Sequence, residues 1–166
     1  MFIPFDQLPA HSKIWVYQSN RKLDEGEEKI ISSSLKTFCE QWAAHGQPLK
    51  TSFKIEHAHF LIIAVDEGFN NASGCSIDGS VRVLKELQAP LNVDFFDRTQ
   101  TAFLIAGEIR LYRNSEIRSL FSTSQLLPST ITFHNLVTTK ADWETSWRIP
   151  TEKSWLTKYL PNPALS

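Results

Sequence analysis

The sequence predicts an α+β fold: one antiparallel sheet carrying two helices on a single face. Two observations carry this. Apolar residues recur with a period of two in some stretches and of about 3.6 in others, and the stretches follow the order strand, helix, strand, strand, helix, strand. The punctuation agrees, with Gly46, Pro48 and Pro90 falling where the pattern changes.

The first element is KIWVYQ, Lys13 to Gln18, whose Ile14 and Val16 with aromatic neighbours suit a buried strand. A long helix follows. Asp24 and Glu27 make a D-x-x-E start resembling a capping box, Ile31, Leu35, Phe38 and Trp42 continue at helical spacing, and Gly46 and Pro48 stop it. Phe53, Ile55 and His57 alternate with Lys54, Glu56 and Ala58, and FLIIAV, Phe60 to Val65, is apolar enough for a central strand. A hairpin turning near His57–His59 joins the two. Val81, Leu84 and Leu87 mark a shorter helix ended by Pro90, and LNVDFF, Leu91 to Phe96, reads as the fourth strand.

This order is the split βαβ, or ferredoxin-like, arrangement, with Trp42, Phe38, Leu84 and Ile62 expected in a shared core. Beyond it, Ala102 to Tyr112 reads as a further strand or hairpin arm, and Ser115 to Phe121 as a short helix or continuing strand. Thr151 is placed to cap a final helix containing Trp155 and Tyr159.

Composition limits what such a domain does. The 166 residues, 42% hydrophobic with 11 Phe and 5 Trp, suit one core, so a single domain over 1–166 is expected, its centre at about 12–112 and an extension at about 113–166. Lys and Arg number 17 against 18 Asp and Glu, a net charge of −1, which argues against general nucleic-acid binding. No apolar run approaches the ~20 residues of a membrane helix and no secretory leader is read at MFIPFDQLPAHSK, so the expected location is cytoplasmic, without membrane attachment. Cys39 and Cys75 are too few for a disulfide framework or a zinc quartet, and fit a reducing compartment.

The blocks IPFDQLP, IWVYQSNRKL, QWAAHGQPLK, AVDEG, ASGCSIDGSV and DFFDR resemble an uncharacterised family of small bacterial proteins, over roughly residues 1–105. The resemblance implies no activity, although some members carry the label "ABC transporter ATPase". That label fails on chemistry. A phosphate-cradling loop needs G-x-x-x-x-G-K-[ST], so that backbone N–H groups approach the phosphates and the Lys offsets their charge. Here Gly68 to Ser76 reads GFNNASGCS, with Cys75 where the Lys must stand, and there is no LSGGQ-like signature.

One loop stands out as a candidate site. Asp66 lies at the end of the third strand, and Gly68 to Cys75 leads into the second helix. Helix N-termini lower a thiol's pKa, so Cys75 is a candidate nucleophile with Asp66 and Arg98 as helpers, and Gly74, Ser76 and Asp78 as binding residues. The structural alternative has Ser76 or Asp78 capping the helix, Gly74 supplying a positive φ and Cys75 filling a small buried space; a carboxylate at Asp78 also opposes thiolate formation.

Other groupings are weaker. His57 and His59 bracket a turn and read as exposed, His11, His45 and His134 are scattered, and Asp66, Asp94 and Asp97 could hold Mg²⁺ but read more simply as strand-ending loop acids. No metal and no cofactor are expected. Phe95, Phe96 and Phe103, like the Trp143–Trp147 pair, fit packing better than base stacking. The resulting expectation is a ligand- or partner-binding module without ATPase activity, acting on a small molecule or protein through a sheet edge, with a homodimer left open. The alternative is a cysteine-dependent enzyme or redox-reactive protein centred on Cys75.

Overall fold

The computed structural model describes residues 1–44, 46–68 and 74–161, without the side chains of residues 44 and 74–76. Strand β1 (Lys13–Gln18) is followed by helix α1 (Glu25–Gln41), then by two-residue strands β2 (Ala43–Ala44) and β3 (Gln47–Pro48). Strands β4 (Lys50–Glu56) and β5 (Phe60–Asp66) form the predicted hairpin, and helix α2 is Gly74–Leu91. The remainder comprises β6 (Gln100–Ile105), β7 (Glu108–Arg113), α3 (Ile117–Ser122), β8 (Ile131–Phe133), α4 (Lys140–Ser146) and β9 (Arg148–Pro150). None of the described helices is long and apolar enough to cross a membrane.

Two larger antiparallel sheets result, β1-β5-β4 and β7-β6-β8-β9. β5 is central in the first because all but one of its residues are buried, which only a strand covered on both faces allows. Alternation sends Leu61, Ile63 and Val65 to one side, where Ile31 and Leu35 of α1 and Leu84 of α2 meet them, so both helices lie on one face as expected. Phe60, Ile62 and Ala64 point the other way, into Ala102 and Phe133 of the second sheet and Trp147 at the end of α4. Ile62 is therefore not in the core of Trp42, Phe38 and Leu84: a neighbouring strand position is always on the opposite face. The far face of the second sheet is closed by Ile117 and Phe121 of α3 with Leu126 and Leu156. Burying each such side chain contributes roughly 1.5–3 kcal/mol.

The helix ends show how the sequence is obeyed. Asp24 accepts from the Glu27 N–H and Glu27 accepts in return, a complete capping box. α2 crosses α1 where Gly79 lacks a side chain: a Cβ there would stand 2.9 Å from the Phe38 ring. Pro90 does not end α2, which runs one residue further. The stop is a Schellman arrangement, with Asn92 at φ 50°, its N–H donating to Ala89 and that of Val93 donating to Gln88.

That stop corrects the fourth strand. Residues 92–96 are not a strand, because their N–H groups are already spoken for: Val93 by the Gln88 carbonyl, Asp94 by the Asn20 side chain, Phe95 by the Gln88 side chain and Phe96 by Asp94. The edge of β1 is covered instead by residues 135–139. The Ile14 N–H donates to the Thr138 carbonyl, Lys13 bridges Thr139, and the Asn135 amide donates to the Gln18 side chain.

The final helix is also corrected. Residues 151–153 and 155–159 form two short 3₁₀ segments, with Ser154 as the cap of the second. Thr151 is buried inside the first of these segments, where its hydroxyl donates to the Thr130 carbonyl and caps no helix.

Candidate functional site

The predicted residues fall at separate places. Asp66 ends β5, where its carboxylate accepts from the Gly68 N–H at 2.9 Å and lies 3.3 Å from His11 Nε2. Neighbouring Glu67 pairs with Lys13 at 2.9 Å. Cys75 and Ser76 belong to the first turn of α2, but their side chains, like the loop at 69–73, lie outside the described residues. α2 opens at Gly74, which makes Asp78 its fifth residue and places it beyond a capping position. Gly68, the last described residue before this loop, has a φ of 51°. Asp78 is exposed and borders a shallow depression of about 440 Å³ on the outer face of α2, with Val81, Arg82, Lys85 and Glu86.

Arg98 is brought nowhere near Asp66. It lies two residues before Gln100, whose carbonyl accepts from the Gln18 side chain, whereas Asp66 stands beside the Lys13 end of β1. The length of β1 separates those ends, roughly 16 Å at the usual strand rise.

Asp94 and Asp97 share the Gln18 end, so the three acids do not converge. Asp97 accepts from the Thr99 hydroxyl and N–H, which hold its carboxyl below the usual range, and no metal-type cluster forms among the described residues.

Cys39 and the two turn histidines, read as exposed, lie in less open surroundings. Cys39 is fully buried, and burial pushes its thiol up to about 11, against a smaller opposing effect of the Thr51 hydroxyl. His59 is not an exposed turn residue: it is 6% exposed, with Nδ1 2.8 Å from the His57 carbonyl, and its own carbonyl accepts from the Ser19 N–H. The turn places both His57 and Ala58 at φ 53°, a strained conformation for residues with a Cβ. His57 is half-buried, and its Nε2 accepts from the Arg148 guanidinium at 2.7 Å, tying the β4–β5 turn to β9. Burial, then the Arg148 charge, lowers its pKa; burial also lowers that of His59. His45 lies outside the described residues.

Trp143 and Trp147 stack at 5.5 Å over this end of the second core, as packing residues.

The feature that sequence reasoning missed is an open strand edge. β7 lies at the end of its sheet. The two-residue turn Ala106–Gly107, with φ of 52° and 79°, makes Ile105 and Glu108 the pair beside the loop. Glu108, Arg110 and Tyr112 therefore turn their N–H and C=O groups to β6, and Ile109 and Leu111 turn theirs outward, where none of the described residues meets them.

The other edges are met in part: Thr51 of β4 is paired by Met1 and Ile3, which leaves the outward groups of Phe53 and Ile55 without a backbone partner among the described residues, Ile14 of β1 bonds Thr138, and β9 is three residues ending in Pro150. The only hint of this in the sequence is the alternation E-I-R-L-Y-R of β7, charged on exposed positions and apolar between them.

Comparison with known proteins adds no assignment: the chain matches no protein-family profile, and no curated protein or solved structure is significantly similar to it.

Proposed function

We propose that this chain is a protein-binding module, without ATPase activity, that accepts an extended segment of a partner on the edge of β7. The observation that carries this is the outward row of unpartnered main-chain groups at Ile109 and Leu111, on an edge strand whose outer side no other described segment joins. The half-buried side chains of those residues belong to the core between the sheets, so the edge is rigidly backed. Exposed Glu108, Arg110 and Arg113 limit indiscriminate pairing, as charges on natural edges do.

The strand order β1-β5-β4 with both helices on one face supports reading residues 13–91 as a ferredoxin-like half that lacks its fourth strand. A reducing, cytoplasmic setting suits the buried free thiol of Cys39. The cysteine-centred alternative draws no support from the placement of its helpers, since Asp66 and Arg98 stand at opposite ends of β1.

The test is amide mapping with a short, terminally blocked peptide alternating Val and Thr. Titration should shift and protect the amides of Ile109 and Leu111. Leu111→Pro, which removes an outward N–H and leaves the pairing to β6 intact, should abolish the effect while the circular dichroism stays native. Shifts located away from β7, or none at millimolar peptide, would refute the proposal.

A further inference from the structure

Resting on the edge-pairing reading above, we infer that the partner segment is acidic, with carboxylates three residues apart. Arg110 and Arg113 are both exposed, and neither has a carboxylate within ion-pair distance among the described residues. In a strand, residues three apart point to opposite faces. The two guanidinium groups therefore flank the open edge from both sides, Arg113 on the face of Ile109 and Leu111, Arg110 on the face of Tyr112.

Arg98 adds a third exposed cation at the same end. Its carbonyl accepts from the side chain of Asn114, the residue after Arg113. Nearby Asp97 makes no ion pair with it, that carboxylate being turned onto the Thr99 hydroxyl and N–H. Glu108, at the hairpin tip, faces a different position of an incoming strand and tolerates a lysine there.

An antiparallel segment laid on β7 thus meets a cation on each face at an odd spacing, which an acidic pair three apart answers with two charge-assisted contacts. A second copy of β7 is the competing occupant: pairing Ile109 with Leu111 of the other copy sets Arg110 against Arg110, a like-charge pair, whereas pairing Leu111 with Leu111 sets Arg110 against Tyr112 and offers neither arginine a carboxylate.

The experiment uses three blocked Val/Thr peptides that differ at two positions three apart, carrying Glu, Gln or Lys. Binding is followed by anisotropy and located by the β7 amides. The Glu peptide should bind roughly tenfold more tightly than the Gln peptide, with the Lys peptide weakest, the sum of two exposed ion pairs. The advantage should vanish in high salt and in the Arg110→Gln, Arg113→Gln double variant. Equal binding of the Glu and Gln peptides at β7 would overturn the acidic partner while leaving edge pairing intact. Binding of none of the three at β7 would overturn edge pairing itself. Concentration-dependent dimerisation that protects the β7 amides would assign the edge to a second copy and overturn this inference.

Discussion

Arg21 holds Glu27 through both arms of its guanidinium, and the same group donates to the carbonyls of Leu91 and Asn92. One side chain thus joins the capping box of α1 to the C-terminal end of α2, where a cation is favoured by the helix dipole. Arg21→Ala should cost about 1–2 kcal/mol, the range for hydrogen bonds to charged groups discounted for the exposure of this pair. Arg21→Lys should recover only part of it, because an ammonium cannot grip the carboxylate with two parallel bonds. Urea unfolding of the three proteins measures both.

The same pair sets an acid limit. The Arg21 guanidinium, then the Asp24 backbone, holds the Glu27 carboxyl at about 2, below its ordinary 4.5. The unfolded chain binds that proton first, so the contribution is complete above the ordinary value and is lost as pH falls through the folded one. In Glu27→Gln the stability profile between those values should be flatter than in the wild type.

His57 and His59 act in a higher window with the same sign. Both are held below 6.5 in the folded state, His57 by burial and the facing Arg148, His59 by burial. Stability should be complete above that value and decline as acid protonates the unfolded chain preferentially. The groups facing His57 are Arg148, Glu56 and His59, so the comparison is between wild type and His57→Gln, whose amide keeps an acceptor for Arg148. Equal slopes of stability between pH 5 and 7, both values being approximate limits of the histidine range, would count against the assignment.

Ala106 occupies the first central position of the β6–β7 turn at φ 52°, where a Cβ is strained. Ala106→Asn should raise stability by roughly 0.5–1 kcal/mol, since asparagine tolerates the left-handed region and is favoured in this turn. The residue is exposed, so no packing is disturbed. A lower thermal midpoint for the variant would contradict the turn geometry.

Alkylation at neutral pH should leave Cys39 unmodified until the protein unfolds, given its burial and a thiol raised to about 11. Labelling of the native wild type therefore reports Cys75 alone. Labelling half-complete at a pH below about 7, absent in Cys75→Ser, would revive the cysteine-centred alternative.

The sequence was legible wherever local chemistry governs. The Asp24–Glu27 box, the alternating β4, the apolar β5 and the α2 stripe of Leu84 and Leu87 all declared themselves. It misled where a distant partner decides. LNVDFF has strand composition, but the Asn20 and Gln88 side chains take its donors, and neither is visible from 91–96 alone. The signal that existed was Asn92 after Pro90, an asparagine placed to stop a helix left-handed. Which sheet edge gains a neighbour was not legible at all, since β4 and β7 both end a sheet and alternate alike, and the pairing of Thr51 comes from Met1 and Ile3, far from β4 in the chain. The site was legible only as residue types: Asp66 and Arg98 are separated by pairing register, which no short window contains.

The cover of β1 by residues 135–139 has a consequence for the newborn chain. The surface formed by Ile14, Phe60, Ile62 and Ala64 is complete as a sheet face once β5 has left the ribosome, yet its lid, Phe133 and Trp147, is still to be translated. At roughly 5–20 residues per second that interval is on the order of ten seconds, long compared with hairpin formation. During it the nascent chain displays a wet apolar face and an unprotected β1 edge together, the combination that makes folding intermediates prone to aggregate and that chaperones exist to shield.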